Sequence, residues 1–444
     1  MVTPVMHPVQ AKIHHWYVPS RVVWPEWENF ITGQMTSGFP QKTLAESDVG
    51  AQTITDHFGI PLIEGLNVNE LPFRVYNKIF NEAYRDQDIQ SVVDEDSSAL
   101  QYAAWEKDYY TAARPWPQKG GAVTLPLGDK APIEGIGKSN TAFQNPDPPD
   151  FFYETGKDTI QQYNTWQQVD HTNPDQQWGI KGEELTPGNH RPAIYADLSS
   201  ATAIDINAFR EAFAIQRFRE ARARYGSRFT EYLRYLGIRS SDARLQRPEY
   251  LGGGKQGISF SEVLQTAPGA DSSVVGELRG HGIAGMRSNR YKKFFEEHGY
   301  VMTMLIVRPR AIYIDGLRRK WSKNDPNMYF QKELQHIGQQ EIFRREVFAN
   351  NTVQDNDVFG YGDRYAEYRH EESYVSGTFR NVDANWHLAR DLLTAPSLNP
   401  TWIECKPSTR IFADTTSSAH MQILADHSIQ ARRLVTRKAG GSIS

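Results

Sequence analysis

One long stretch of the chain has the apolar spacing of an amphipathic helix. Between residues 207 and 225 the apolar side chains recur every three or four positions, which is the period of one helical face. This stripe consists of Phe209, Ala212, Phe213, Ile215 and Phe218. The other face carries Arg210, Arg217, Arg219, Arg222 and Arg224. Asp205 or Asn207 can cap the first turn and Gly226 ends the helix, so we expect the stripe to bury against the protein body or a neighbouring subunit.

Shorter patterns predict a second helix and several strands. Residues 72–85 form the helix, with Pro72 in its first turn, where a missing N–H is tolerated. Five runs have the composition or alternation of strands: 258–265, 300–307, 311–315, 374–379 and 402–405. Strands that are scattered along a chain and separated by long excursions favour a sandwich or a barrel over a doubly wound sheet.

Residues 121–200 differ in composition from the rest of the chain. They contain 8 Pro and 8 Gly, and they carry 5 basic against 11 acidic side chains. Such a composition makes a poor core and suits a surface excursion. A disordered linker is the alternative, but large apolar residues such as Phe151, Tyr153 and Trp166 argue against it, because free linkers rarely keep them.

Charge is distributed unevenly along the 444 residues. Residues 1–200 carry 14 basic and 26 acidic side chains, whereas residues 201–444 carry 35 and 27, and the formal net charge is −4. A protein whose only partner is nucleic acid usually has a basic balance, so this chain is not of that class. Its second half could present a basic face or an ordinary surface of mixed charge.

Cysteine content and hydropathy exclude further classes. Cys405 is the only cysteine, so no internal disulfide can form and folding in a reducing compartment is expected. The longest apolar run, 301–307, is much shorter than the roughly 20 residues that span a bilayer. The first residues lack the charged start and apolar core of a secretory signal.

Motifs for catalysis or metal binding are incomplete. The glycines at 252–254 lack the flanking residues of a phosphate loop, so a tight bend before a strand is predicted there. His370 and Glu371 begin a zinc-protease pattern whose second histidine is missing, and the calcium-loop resemblance at 355–366 has Phe359 and Ala366 at ligand positions. Cys405 is predicted to be a buried, inert thiol. We therefore expect no catalytic residues, no metal site and no cofactor.

Several stretches of the chain become specific when each is read whole, at 16–33, 71–86, 105–120, 231–266, 280–285, 294–309, 360–380 and 404–412. These stretches resemble the major capsid protein of tailless single-stranded DNA phages (the microviruses), most closely the gokushovirus-like branch. The stretches follow the family's order and are spread along the chain from residue 16 to residue 412. The resemblance breaks down in residues 121–200 and is weak after residue 427.

The resemblance implies a mainly β chain: one eight-stranded antiparallel jelly roll with large loop and helical insertions. Residues 1–120 would form an N-terminal arm and the first part of the jelly roll, 121–200 an external insertion at the threefold axes, and 201–444 a helical insertion, the remaining strands and the C-terminal tail. About sixty copies would form a T=1 icosahedral shell around circular single-stranded DNA. Such a structural protein is no enzyme, belongs to the virion and is assembled in the bacterial cytoplasm.

The same resemblance implies partners and contact residues. The expected partners are further copies of the chain, the packaged DNA, a small basic DNA-binding protein, a pilot protein, a scaffolding protein and a host receptor. Phosphates attract cations and bases stack on exposed rings. On these grounds the DNA-contact candidates are Lys12, His14, His15, Trp16, Arg318, Arg319, Lys320, Trp321, Arg432 and Arg433. The candidates for packing or subunit contact are Trp24, Trp27, Trp105, Trp116, Phe209, Phe213 and Phe218.

A carbohydrate-binding or carbohydrate-active β-sandwich is the competing class. The 10 tryptophans could stack on sugar rings, and pairs of carboxylates could hydrolyse a glycosidic bond. The positions of the aromatic residues distinguish the two classes. Trp24, Trp27, Trp105 and Trp116 lie in stretches that match the capsid family, which implies packing rather than sugar binding.

Overall fold

The computed structural model describes residues 1–34, 38–121, 123, 206–238, 246–266, 275–414 and 420–433, and the backbone of short strands between 133 and 196. The chain divides into two compact units, Met1–Pro117 with Arg222–Ser444, and Gln118–Ala221. The predicted insertion at 121–200 lies mostly outside the described residues. The first unit contains most of the described strands.

All pairings between the described strands are antiparallel. The strands are β1 (Val9–Pro19), β2 (Gln41–Thr43), β3 (Asn67–Asn69), β4 (Ile133–Glu134), β5 (Gly182–Thr186), β6 (Asn189–Pro192), β7 (Tyr195–Ala196), β8 (Glu249–Gly257), β9 (Ser259–Leu264), β10 (Leu278–Ile283), β11 (Gly299–Pro309), β12 (Gln339–Phe343) and β13 (Val358–Asp363). The α-helices are α1 (Ser20–Val23), α2 (Trp27–Ile31), α3 (Ile54–His57), α4 (Leu71–Ile79), α5 (Ile206–Tyr225), α6 (Phe229–Tyr235), α7 (Arg344–Val347) and α8 (Pro400–Ile403). A β-rich chain with antiparallel sheets is confirmed at this level.

The largest sheet has three strands in the order β11-β1-β8. Strand β1 pairs with β11 along its whole length, from Val9 opposite Pro309 to Pro19 opposite Gly299. Its other edge pairs with β8, and the register shifts between His15 and Trp16, which marks a β-bulge. Because side chains alternate between the two faces of a strand, the even and odd residues of β1 meet different neighbours.

The glycines at 252–254 lie inside β8 and not in a bend before a strand, so that prediction was wrong. A Cβ on Gly253 would lie 2.1 Å from the carbonyl oxygen of Ile13, on the neighbouring strand. Gly252 sits at the bulge with a φ of +139°, in the region that favours glycine. The close approach of β1 therefore explains Gly253, and the positive φ explains Gly252.

Helix α4 packs on the even face of β1. Leu71, Val75 and Ile79 recur at helical spacing, are fully buried, and pack in one cluster with Val18 of β1. The opposite side of the helix presents Phe73 to a second cluster with Leu44 and Ile54. Pro72 stands in the first turn as predicted, and the helix continues into a π-helical turn at Phe80–Tyr84. The helix predicted at 72–85 is confirmed.

A further core contains Trp105, Tyr313 and Trp402 together with the guanidinium group of Arg390. The guanidinium carbon lies 3.6 Å from the centroid of the Trp402 ring, and Arg390 donates a hydrogen bond to the carbonyl oxygen of that residue. The Tyr313 hydroxyl donates to the Asp108 carboxylate over 2.8 Å. This buried cation is thus held by aromatic faces and hydrogen bonds rather than by a direct carboxylate contact.

Three of the five predicted strands were wrong. The segment 311–315 makes only single-residue bridges at Tyr313, because its large side chains pack in the core without a continuous partner strand. In 374–379, Gly377 takes a left-handed φ of 68° and begins a 3₁₀ turn. In 402–405, Pro400 starts helix α8 and the Asn399 carboxamide accepts a hydrogen bond from the amide of Trp402. The strands predicted at 258–265 and 300–307 are β9 and β11.

Candidate nucleic-acid and subunit interfaces

Four of the predicted DNA contacts lie on β1, and each is engaged within the chain. The Lys12 ammonium lies 3.0 Å from the Glu106 carboxylate. The His14 Nδ1 lies 2.8 Å from the Tyr84 hydroxyl, and the Trp16 indole donates to the same oxygen over 3.0 Å. The contacts of His14 and Trp16 join the even face of the sheet to the π-helical turn after α4, whereas Lys12 pairs with a loop residue. All three side chains therefore stabilise the folded chain.

His15 lies on the odd face and is buried. Its ring nitrogens lie 2.9 Å from the Thr303 hydroxyl and 3.0 Å from the Ser288 hydroxyl. Burial lowers the pKa of both His14 and His15. The rings are therefore neutral at pH 7 and supply no charge for a phosphate.

The predicted cluster at 318–321 divides into an exposed and a buried part. Arg318 lies 2.5 Å from the Glu371 carboxylate and stacks over Tyr374, and Lys320 pairs with the same carboxylate. Trp321 beside them is 69% exposed. Two cations thus share one carboxylate at the surface, which leaves a local excess of positive charge.

Arg319 belongs to the buried part. It donates to the Glu346 carboxylate over 3.1 Å and to the carbonyl oxygen of Glu341 over 2.6 Å. Burial raises the pKa of Glu346 in spite of the arginine beside it. This geometry is that of a structural ion pair, and it separates Arg319 from its two neighbours.

Arg432 and Arg433 lie exposed at the end of a tail, residues 420–433, that contains no helix or strand. The tail approaches the three-stranded sheet, since His427 lies near enough to His15 to help lower the pKa of that ring. Leu424 and Ile429 of the tail are 99% and 71% exposed. The tail therefore presents both charge and apolar surface to whatever surrounds the chain.

The tryptophans predicted to pack do so to different degrees. Trp24 is buried with the α4 cluster, where Trp27 packs against it, and Trp105 is buried in the core around Arg390. Trp116 is half-buried. Rings inside a core cannot stack on a sugar, so the carbohydrate alternative loses its main support at Trp24 and Trp105.

Helix α5 extends over the predicted residues, but its aromatic stripe is not buried in the chain. Phe209, Phe213 and Phe218 are 43%, 55% and 47% exposed, and the rings of Phe209 and Phe213 lie 4.6 Å apart. These three side chains are therefore not buried among the residues that the structure describes. Burial against a neighbouring subunit stays a prediction.

Cys405 is buried, and burial raises the pKa of its thiol to about 12. Within the described ranges, no three metal-binding side chains converge on a common point. No helix of the described residues is long and apolar enough to span a membrane.

One basic segment was missed by the sequence analysis. Residues 286–298 (MRSNRYKKFFEEH) interleave four Arg or Lys residues with three aromatic rings. The segment lies against the odd face of β1, where Ser288 contacts His15 and Phe295 packs on Tyr17. Interleaved basic and aromatic residues are the signal that could have identified it.

A β-rich chain with antiparallel sheets and large exposed aromatic surfaces is typical of a structural protein that assembles with other subunits. Comparison with known proteins makes this class specific. The model of the family described as "Capsid protein (F protein)" matches residues 1–440.

Named relatives agree with this match. The chain is 35% identical to the capsid protein VP1 of Bdellovibrio phage phiMH2K over 428 residues, which are 91% of this chain and 79% of that protein. It is 29% identical to the capsid protein VP1 of Chlamydia phage 1 and 29% identical to that of Spiroplasma virus 4. These alignments cover 91% of this chain and 81% and 79% of the respective relatives. The chain belongs to the F-type capsid protein family, and it is a structural major capsid protein of a phage virion.

Proposed function

We propose that about sixty copies of this chain form a closed T=1 icosahedral shell around a circular single-stranded DNA genome, and that its antiparallel strands belong to an eight-stranded jelly roll. The observation that carries the proposal is the exposed aromatic face of α5 in a member of a capsid protein family. Exposed apolar patches of this kind mark protein interfaces. A shell of identical subunits provides such an interface for every copy.

The size of the particle tests this proposal. Sixty copies of a 50.6 kDa chain give a shell of about 3 MDa. We expect the expressed chain, or the chain with its phage partners, to sediment as a particle of this mass with icosahedral symmetry in electron micrographs. A stable monomer or small oligomer in the presence of all virion proteins would contradict it.

We propose further that the genome is neutralised by several components. With a net charge of −4 per subunit, the shell cannot balance the phosphates by its overall charge. A small basic DNA-binding protein would supply the remaining charge, and a pilot protein and a scaffolding protein would complete packaging and assembly. Among the predicted shell residues, Arg318, Lys320, Arg432 and Arg433 remain candidates for DNA contact, because they lie at the surface.

We also propose that residues 121–200 project outward and bind a host receptor. The support is their excess of acidic over basic side chains, which would repel a packaged polyanion. Deletion of residues 140–178 should leave shells that assemble but adsorb poorly to cells. Normal adsorption of the deleted particles would contradict the receptor role, and failure to assemble would show that the segment is needed for the shell itself.

A further inference from the structure

The two faces of β1 are covered in different ways. The even face packs on helix α4, as described above. The odd face is covered by residues 286–298, a segment without helix or strand. The segment is fixed at both ends: Ser288 contacts His15, and the Tyr17 hydroxyl donates to the carbonyl oxygen of Glu297 over 2.9 Å.

Two charged side chains of the segment form ion pairs that hold it against the rest of the chain. Glu297 forms a bidentate pair with Arg21, at 2.7 and 3.1 Å. Lys293 lies 2.6 Å from the Glu249 carboxylate of β8. The backbone amide of Asn289 donates to the carbonyl oxygen of Gly253 over 3.1 Å. The backbone is therefore held in place, so it presents its remaining side chains in a defined direction.

The remaining charged side chains of the segment are three cations and one carboxylate, Glu296. Arg287, Arg290 and Lys292 are exposed and have no carboxylate partner among the residues that the structure describes. Phe294 beside them is 81% exposed. In this they differ from the cluster at 318–321, whose cations are already paired with carboxylates. An unpaired cation can bind a phosphate without first giving up another ion pair.

The C-terminal tail adds to the same face. His427 lies near His15, which is the residue that Ser288 and Tyr291 of the segment contact. Arg432 and Arg433 follow five and six residues later and are exposed. The tail thus passes near His15, the residue that the segment also contacts.

We propose that Arg287, Arg290 and Lys292, with Phe294 beside them, form a binding site for the phosphate backbone of single-stranded nucleic acid. This inference rests on the proposed function, because it names the surface of the shell that faces the genome. The cations would bind phosphates and the exposed phenylalanine ring would stack on a base, which gives binding without sequence preference. A second copy of the chain is the less favoured occupant, because a protein interface would bury three cations that have no carboxylate partner among the described residues of this chain, and burial of an uncompensated charge is costly.

The test compares two double variants of the full-length chain. Arg290→Gln with Lys292→Gln removes two charges from the proposed site, and Arg234→Gln with Lys332→Gln removes two exposed charges elsewhere. Binding to a fluorescein-labelled oligo(dT) of about 20 nucleotides is followed by anisotropy at increasing NaCl. Each phosphate contact to a single strand contributes about 0.7 to the slope of log K against log salt, so the site variant should lose about 1.4 and the control none.

Two further variants separate the effect of charge on binding from the effects of misfolding and of base stacking. Arg290→Lys with Lys292→Arg keeps the charge and should retain the wild-type slope. Phe294→Ala should weaken binding at least about fivefold at every salt concentration and leave the slope unchanged. A wild-type slope in the Arg290→Gln, Lys292→Gln variant would overturn the proposal.

Particle assembly separates this inference from the proposed function. We expect the site variant to form shells of normal size that retain less DNA, seen as a lower ratio of absorbance at 260 nm to that at 280 nm. Shells with normal DNA content would overturn the DNA site and leave the capsid function intact. Loss of assembly with an unchanged salt slope would instead assign the surface to a contact between copies.

Discussion

Helices α4 and α5 both carry large apolar side chains, but these side chains differ in burial. In α4 the side chains of Leu71, Phe73 and Val75 are fully buried. In α5 the side chains of Phe209 and Phe213 are 43% and 55% exposed. An amphipathic pattern therefore predicts that one face of a helix is buried, but it does not predict whether residues of the same chain bury that face.

The physical reason lies in what surrounds each helix. Helix α4 follows directly on β3 and is enclosed by β1, β11 and the segment around Leu44, so its apolar groups leave water when the chain folds. The exposed rings of α5 retain contact with water in the single chain. In a capsid subunit such surface can be buried on assembly, which stabilises the shell at the expense of the isolated subunit.

The largest effect is expected at the centre of α4. Replacement Phe73→Ala removes a ring that is 0% exposed and leaves a cavity, which should lower the free energy of unfolding of the subunit by about 3–5 kcal/mol. Chemical denaturation of dissociated subunits measures this value. A loss below about 1 kcal/mol would mean that the cluster of Phe73 with Leu44 and Ile54 is not a rigid core.

Buried and exposed ion pairs should also differ in how much they stabilise the subunit. Glu346→Gln should cost about 3 kcal/mol, because it leaves the Arg319 guanidinium buried without its carboxylate. Glu371→Gln, at an exposed pair with Arg318, should cost much less, because water and salt screen this pair. Denaturation of the two variants side by side checks the difference. Equal losses would show that burial does not set the strength of these pairs.

Buried histidine makes stability depend on pH. His7 lies 2.8 Å from the carbonyl oxygen of Arg310, and burial is the main cause that lowers its pKa from 6.5 to about 4. The unfolded chain therefore binds a proton at a higher pH than the folded chain does. The free energy of unfolding should fall by on the order of 2–3 kcal/mol as the pH drops from about 6.5 to about 4. Above about pH 6.5 the ring is neutral in both the folded and the unfolded chain, so this contribution no longer changes with pH.

Variant His7→Asn isolates this contribution. It cannot titrate, so its unfolding free energy should vary less with pH between 4 and 6.5 than that of the wild type. The lowered pKa values of His14 and His15 act in the same direction and should leave a smaller residual slope. Identical pH profiles for the variant and the wild type would contradict the assignment to His7.

The smallest effect on the stability of the subunit is expected on the exposed aromatic face of α5. Phe213→Ala should change the unfolding free energy of dissociated subunits by less than about 1 kcal/mol, since the ring is already 55% exposed. The yield and melting temperature of assembled particles should nevertheless fall, because the ring is expected to be buried between subunits. Particles with wild-type yield and melting would exclude this face of α5 from the subunit contacts.

Local patterns were sufficient where one segment decides the outcome. The periodicity of 207–225, the proline at the start of α4 and the apolar character of β11 predicted elements that the structure contains. They failed where a local turn signal was not recognised, because Asn399 and Pro400 start a helical turn at the run 402–405. They also failed where a partner distant in the sequence decides, because Gly253 lies in a strand against the backbone of Ile13.

The site residues follow the same division. The sequence identified basic and aromatic clusters at 12–16 and 318–321, but not which charges are already neutralised. Only the folded chain brings Glu106 to Lys12, Glu346 to Arg319 and Glu371 to Arg318. The missed segment at 286–298 is recognisable only when its anchored residues are separated from its exposed ones.

The sequence by itself determined that this chain belongs to a capsid family, that it contains a long aromatic helix and that its charge is uneven along its length. These properties are carried by residue order and local spacing, which are present before folding. The tertiary structure decided which apolar faces are buried by residues of the same chain, which cations have no carboxylate partner among the described residues, and which histidines are buried as neutral rings. Those outcomes depend on contacts between residues far apart in the sequence, such as Tyr84 with His14 and Ser288 with His15, and on the loss of water around them.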